Sequence, residues 1–123
     1  MHAAVTRVQL NLDCLDPDRQ QAFWCDALGY RASGSLGPYR ALTDPEGRGP
    51  DLVLQQVPDA KRDKIRMHLD LYVAPPDLAP ERDRLLALGA TLAPEGWFEL
   101  GEERWQVMRD PEGNEFCLCT RGA

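Results

Sequence analysis

Trp105–Cys119, WQVMRDPEGNEFCLC, reads as strand, tight turn and strand, with apolar positions alternating on either side of Asp110-Pro111-Glu112-Gly113. Pro at the second position of the turn and Gly at the fourth suit a type I turn. The same four residues stand at Asp44–Gly47, inside the stretch Ala41–Gln55, and a short apolar run again follows. Other landmarks repeat at nearly the same interval. Gln9-Leu10-Asn11-Leu12 returns as His68-Leu69-Asp70-Leu71, and Leu28-Gly29 as Leu88-Gly89, in both cases about 60 residues on. The turn recurs a little later, so the second copy carries about six more residues between its Leu-Gly and its turn. The chain therefore reads as two diverged copies of one unit within a single domain: unit one about 4–57, a polar linker about 58–65, and unit two about 66–121.

Each copy predicts strand, helix and three strands. Ala4–Asp13 alternates, with Val8, Leu10 and Leu12 on one side and Gln9, Asn11 and Asp13 on the other. Asp16-Pro17-Asp18 is a helix start and Gly29 its stop. Strands over Tyr30–Ser33, Tyr39–Thr43 and Asp51–Gln55 complete unit one. In unit two, Arg66–Val73 alternates in the same phase, placing Met67, Leu69, Leu71 and Val73 against His68, Asp70 and Tyr72. Asp77 or Pro80 opens a helix that Gly89 ends; Ala90–Ala93 is a strand, and Glu95–Glu103 reads as a longer loop. Trp105–Met108 and Glu115–Cys119 are the last two strands. Helices need a sheet face on which to bury their apolar stripes, so the apolar side of each first strand is the helix side. The fold class is α+β, two tandem βαβββ units forming a curved mixed sheet with helices on its outer face.

With 123 residues, 43% hydrophobic and 28% charged, the composition is that of an ordinary globular chain. No apolar run approaches the ~18 residues of a membrane span, and no secretory signal pattern opens the chain, which argues for a cytoplasmic protein with no membrane partner. Net charge is −6 and the basic residues are scattered, which argues against a nucleic-acid partner. Cys14, Cys25, Cys117 and Cys119 have no CxxC spacing and read as reduced, buried thiols.

The alternation places a set of polar and aromatic residues on the side of the sheet away from the helices. Gln9 and Asn11 belong to the first strand, Val53 and Gln55 to the fourth, His68, Asp70 and Tyr72 to the fifth, and Cys117 and Cys119 to the last. The register of the fourth strand is uncertain by one residue. Gln9, Val53, His68 and Cys117 would converge if this side lines a cavity rather than facing water. Trp105, with Trp97 and Phe98 as a lid on the long loop, would supply the aromatic lining typical of a small-molecule site.

DCLDPDRQQAFWCDALGY (13–30), KIRMHLDLYV (64–73) and VMRDPEGNEFCL (107–118), in this order and spacing, resemble the vicinal oxygen chelate superfamily, and within it the glyoxalase-like domain group. That superfamily includes glyoxalase I, extradiol dioxygenases and bleomycin-resistance proteins. The resemblance covers nearly the whole chain and implies the two-unit fold and a homodimer. It also implies, for metal-using members, a site of His or Gln in the first strand, Glu in the fourth, His in the fifth and Glu in the eighth. Gln9 and His68 match; Val53 and Cys117 do not. Two neutral ligands leave a divalent cation uncompensated and supply no carboxylate base, so the glyoxalase I reaction is disfavoured. The expectation is a protein that binds a small, partly aromatic organic ligand without the standard metal site, no cofactor being required. The first alternative is a metal-dependent lyase, isomerase or dioxygenase with a non-standard site at Gln9, His68 and Cys117, in which His68 is the acid/base and a divalent metal the cofactor. The second is a scaffold or regulatory protein with no small ligand.

Overall fold

The structure, a computed structural model, describes residues 3–122. The chain divides into two compact units, one ending at Ala60 and the other beginning at Lys61. The first contains strand β1 (Leu10–Cys14), helix α1 (Pro17–Leu28), β2 (Arg31–Leu36), β3 (Tyr39–Thr43) and β4 (Leu52–Gln56). The second contains β5 (Asp70–Tyr72), α2 (Leu78–Leu88), β6 (Thr91–Leu100), β7 (Glu103–Arg109) and β8 (Glu115–Arg121). Each is a βαβββ unit with one four-stranded mixed sheet, ordered β1-β4-β3-β2 and β5-β8-β7-β6. The α+β class and the duplicated unit agree with the reading of the sequence. In both units the first and last strands lie side by side and parallel, which puts the residues singled out on them in adjacent rows.

Helix α1 starts, and both helices stop, at residues whose chemistry suits a helix end. The Asp16 carboxylate accepts the backbone N–H of Arg19 at 3.2 Å, with Pro17 in the first turn. A 3-10 turn, Pro75–Asp77, leads into α2. Gly29 and Gly89 close the two helices at φ 71° and 119°, a left-handed conformation that glycine adopts without a Cβ penalty.

The helix-covered face of the first sheet is identified by an ion pair: Arg40 Nη1 on β3 lies 2.7 Å from Asp18 Oδ1 on α1. Leu54, in register with Arg40 and with Leu12, therefore lies on that face, as does Leu42 two residues along β3. Leu42 and Leu54 are fully buried, and Phe23 and Trp24, packed edge to face with ring centroids 5.0 Å apart, fill the space from the helix. In the second unit Met108, Phe116 and Leu118 play this part against Leu85.

The two DPEG turns are held by their first residue. Asp44 accepts from the backbone N–H groups of Glu46 (2.9 Å), Arg48 (3.1 Å) and Gly49 (3.2 Å). Asp110 accepts from the N–H of Glu112, the N–H of Asn114 and the Asn114 side-chain amide, each at 2.9 Å. The carboxylate thus satisfies the amides that a tight turn leaves unpaired. The Glu46 N–H, ahead of burial which opposes it, holds the Asp44 carboxyl below the usual range. Nearby, a Cβ on Gly49 would sit 2.3 Å from the Tyr30 hydroxyl, which donates to the Pro50 carbonyl at 2.9 Å. A larger residue there would displace the end of the Tyr30 side chain and its hydrogen bond.

Four expectations about elements are corrected. The first strand begins at Leu10 rather than Ala4: the Leu10 N–H donates to the Asp51 carbonyl, and beyond it the partner chain turns at Pro50, which has no N–H to offer. The fifth strand is Asp70–Tyr72, shorter than Arg66–Val73, its pairing to β8 starting where the Cys117 N–H reaches the Leu69 carbonyl. The second strand runs on to Leu36, with a bulge between Ala32 and Gly34. The segment 95–103 is no loop. β6 extends to Leu100 and pairs with β7, and Pro94 and Gly96, which read as breakers, fall in a bulge between Leu92 and Trp97 where no ladder bond is needed. Among the described residues no helix is long and apolar enough to cross a membrane.

Candidate functional site

On the first sheet, the face away from α1 carries Asn11, Val53 and Ala41 in one cross-strand row and Asp13, Gln55, Tyr39 and Leu36 in the next. The register places Val53, flanked by Gln55, on this face of the fourth strand. Gln9 lies just before β1, exposed, and accepts from Arg7 Nη2 at 3.3 Å; Arg7 also reaches the Asp51 carboxylate at 3.4 Å.

The corresponding face of the second sheet has the same layout with different chemistry. Asp70, Cys117 and Val107 form one row, and Tyr72, Cys119, Trp105 and Phe98 the next. Phe98 and Trp105 stack with centroids 5.5 Å apart and ring planes at 18°. Ala93, Val107, Cys117 and Cys119 make a buried apolar floor against which Trp105 packs. Tyr72 stands more exposed and donates its hydroxyl to Glu103 Oε2 at 3.0 Å. That hydrogen bond, then burial and the charge of Glu103, raises its pKa. Trp97 does not join the group. It is adjacent to Phe98 on a paired strand and so projects from the opposite face, where its indole N–H donates to Glu99 at 3.3 Å. A two-residue aromatic lid is therefore not formed.

At one end of this face the donor atoms of His68, Asp70 and Cys117 all lie within 4.8 Å of one another, and His68 Nε2 is 3.1 Å from Asp70 Oδ1. Burial foremost, then the charge of Asp70 and a thiol hydrogen bond to it, pushes the Cys117 pKa up to about 11. Burial, followed by Asp70, takes Cys119 to about 12. Both are protonated thiols at neutral pH and poor nucleophiles. Asp70 supplies the carboxylate that matching only the family positions missed. Its two-residue spacing from His68 in an alternating strand was the signal that it shares the face.

The segment before His68 is tied down by Glu115. Lys61 Nζ lies 2.6 Å from one oxygen of this 4%-exposed carboxylate, and the Ile65 N–H donates to the other at 3.0 Å. Burial alone would raise the Glu115 pKa; Lys61 and the Ile65 N–H outweigh it and hold the group below its ordinary value. The sequence reads 58–65 as a linker and Glu115 only as the start of the last strand, since a contact fifty residues apart leaves no local pattern.

The sequence profile of the glyoxalase-like domain family matches residues 9–119, and the chain belongs to that family. Solved structures of the glyoxalase and bleomycin-resistance type share the fold. A glyoxalase/bleomycin resistance protein/dioxygenase family enzyme from Burkholderia phytofirmans PsJN is 17% identical with a TM-score of 0.76, over 92% of this chain and 96% of the other. The genomically encoded fosfomycin resistance protein FosX from Listeria monocytogenes, in complex with Mn(II) and sulfate, is 18% identical with a TM-score of 0.77, over 100% and 93%. The oxidase ChaP-H2 is 20% identical with a TM-score of 0.70, over 97% and 95%. At these identities the likeness concerns the fold. No curated protein matches the chain.

A metal of the kind this fold family uses can be tested against the donor set. In a tetrahedral site with bonds of about 2.0–2.3 Å the donors stand roughly 3.3–3.8 Å apart; His68 Nε2 and Asp70 Oδ1, at 3.1 Å, are already that close, and a separation at the 4.8 Å bound of the set would need to close by about 1 Å. Imidazole, carboxylate and thiolate balance a divalent charge and suit zinc better than magnesium or manganese. The set fits, provided the metal displaces the Cys117 proton.

Proposed function

We propose that this protein binds a small, partly aromatic organic molecule against the face of the second sheet that carries Tyr72, Phe98 and Trp105. The supporting observation is the stacked Phe98–Trp105 pair set in the row next to His68–Asp70–Cys117: a flat apolar platform beside convergent polar groups, the usual composition of a small-molecule site. Cys117 and Cys119 serve as floor, with His68 and Asp70 as polar anchors. Gln9, Asn11, Val53 and Gln55 belong to the first unit, on or just before the corresponding face of its own sheet. A screen of aromatic compounds by tryptophan fluorescence tests this reading. Binders whose affinity falls at least tenfold in Trp105→Ala support it, and unchanged affinity in that variant removes it.

A second reading is favoured by one observation, the approach of three donors at His68, Asp70 and Cys117. These residues would hold a zinc-like ion that supplies Lewis acidity at an open position, as in a metal-dependent lyase, isomerase or dioxygenase. Their own part is to bind it, with Asp70 and the deprotonated thiol compensating its charge. Stoichiometric zinc in untagged protein, lost in His68→Ala, would establish this reading; metal-free protein that still binds aromatic ligands would exclude it.

The reading also includes a homodimer in the cytoplasm. The fully exposed edge strand β2, ending in Leu36, is a surface such an association would cover. Sedimentation as a monomer at micromolar concentration would contradict the dimer.

A further inference from the structure

The proposed ring-binding face carries an unbalanced charge. Of its acidic groups, Glu115 is paired with Lys61, Glu103 lies 3.4 Å from Arg121, and Glu95 is 3.9 Å from Arg109. Asp70 differs. Among the described residues no Lys or Arg lies within ion-pair distance of it; its neighbours are His68 and the Cys117 thiol, and about half of its side chain is exposed. Asp70 sits one row along from Tyr72, Cys119 and Trp105, on the same face and next to Tyr72 on β5.

We propose that the ligand is an aromatic ammonium compound, its ring resting between Tyr72 and the Phe98–Trp105 stack and its protonated nitrogen on the Asp70 carboxylate. This rests on the reading that the face binds a ring, and adds the charge and spacing of the ligand. Adjacent rows on a sheet face are about 7 Å apart, which places the nitrogen two or three bonds from the ring. Electron-rich faces of Trp and Tyr favour a cation beside them, and an ammonium placed here meets both these faces and the carboxylate. The first unit has Asn11 at the position matching Asp70; its own carboxylate on that face, Asp13, stands at the position matching Tyr72.

Three probes of one shape and different charge separate the possibilities: 2-phenylethylamine, 2-phenylethanol and 3-phenylpropionate, titrated against the full chain by protein-observed chemical shifts. The expected result is amine binding at least tenfold tighter than the alcohol, with the carboxylate weakest. In Asp70→Asn the amine should lose its advantage over the alcohol. In the unmodified protein the gap between amine and alcohol should narrow as salt is raised, which needs no variant. Equal binding of the three probes, or preference for the carboxylate, would overturn the ammonium assignment and leave ring binding intact. Failure of all three to bind would overturn both.

Discussion

Glu115 shows how a single buried carboxylate organises its surroundings. Both its oxygens are engaged by the segment leading to His68, through Lys61 and the Ile65 N–H. Its folded pKa is depressed, so its contribution to stability is present above the ordinary glutamate pKa and is lost as pH falls through that value toward the folded one. Glu115→Gln should destabilise the protein by on the order of 2 kcal/mol at pH 7 in urea denaturation, and the difference from the unmodified protein should shrink as pH falls below about 4.5. A difference independent of pH would contradict the ion pair. The thiols give a second check at this scale. With pKa values of about 11 and 12, Cys117 and Cys119 should react with iodoacetamide at pH 8 at least ~10²-fold more slowly than an exposed cysteine, and at the ordinary rate once the protein is unfolded. Residue identity and face were readable from the alternation: His68, Asp70 and Tyr72 were assigned to one side, and Asp70 and Tyr72 lie in the rows that assignment implied. The Glu115–Lys61 contact was not readable, because nothing in the spacing of two distant charges says they will meet.

At the scale of elements, the turns that fixed the reading of the sequence are themselves structural units. Asp110 is 2% exposed and accepts three hydrogen bonds, so removing it strands three donors. Asp110→Ala should cost about 2–4 kcal/mol in thermal or urea unfolding, far more than an exposed carboxylate would. A loss below ~0.5 kcal/mol would show that water replaces those bonds. The helices were readable because their starts and stops carry chemical punctuation in Asp16, Pro17, Gly29 and Gly89. Strand lengths were not. Alternation before Leu10 continues in the sequence, but a strand ends where its partner can no longer pair. The continuation of β6 beyond Ala93 reads as a loop for the opposite reason: a bulge lets the strand pass Pro94 and Gly96, so residues that usually break pairing are carried within it. That error also produced the supposed lid, since a strand sends Trp97 and Phe98 to opposite faces while a loop would have let them act together.

For the whole molecule, duplication is what makes the comparison of the two units informative. The central rungs of one sheet have counterparts in the other, and the counterparts differ in chemistry: Asn11 and Val53 against Asp70 and Cys117, Tyr39 and Gln55 against Trp105 and Cys119. The same frame thus carries a mixed polar and apolar face in the first unit and one with the Phe98–Trp105 stack and two buried thiols in the second. The family and the fold follow from the order of motifs along the chain. Which face binds, and what, depends on side chains the family pattern does not prescribe. The most direct measurement is amide and side-chain chemical-shift mapping of the intact protein on addition of an aromatic ligand found by screening. The account predicts shifts of Tyr72, Phe98, Trp105, Cys117 and Cys119, together with Asp70, and little change at Trp97 or Leu85. Shifts confined to the helix-covered side of the second sheet, with the Tyr72–Trp105 face silent, would contradict it.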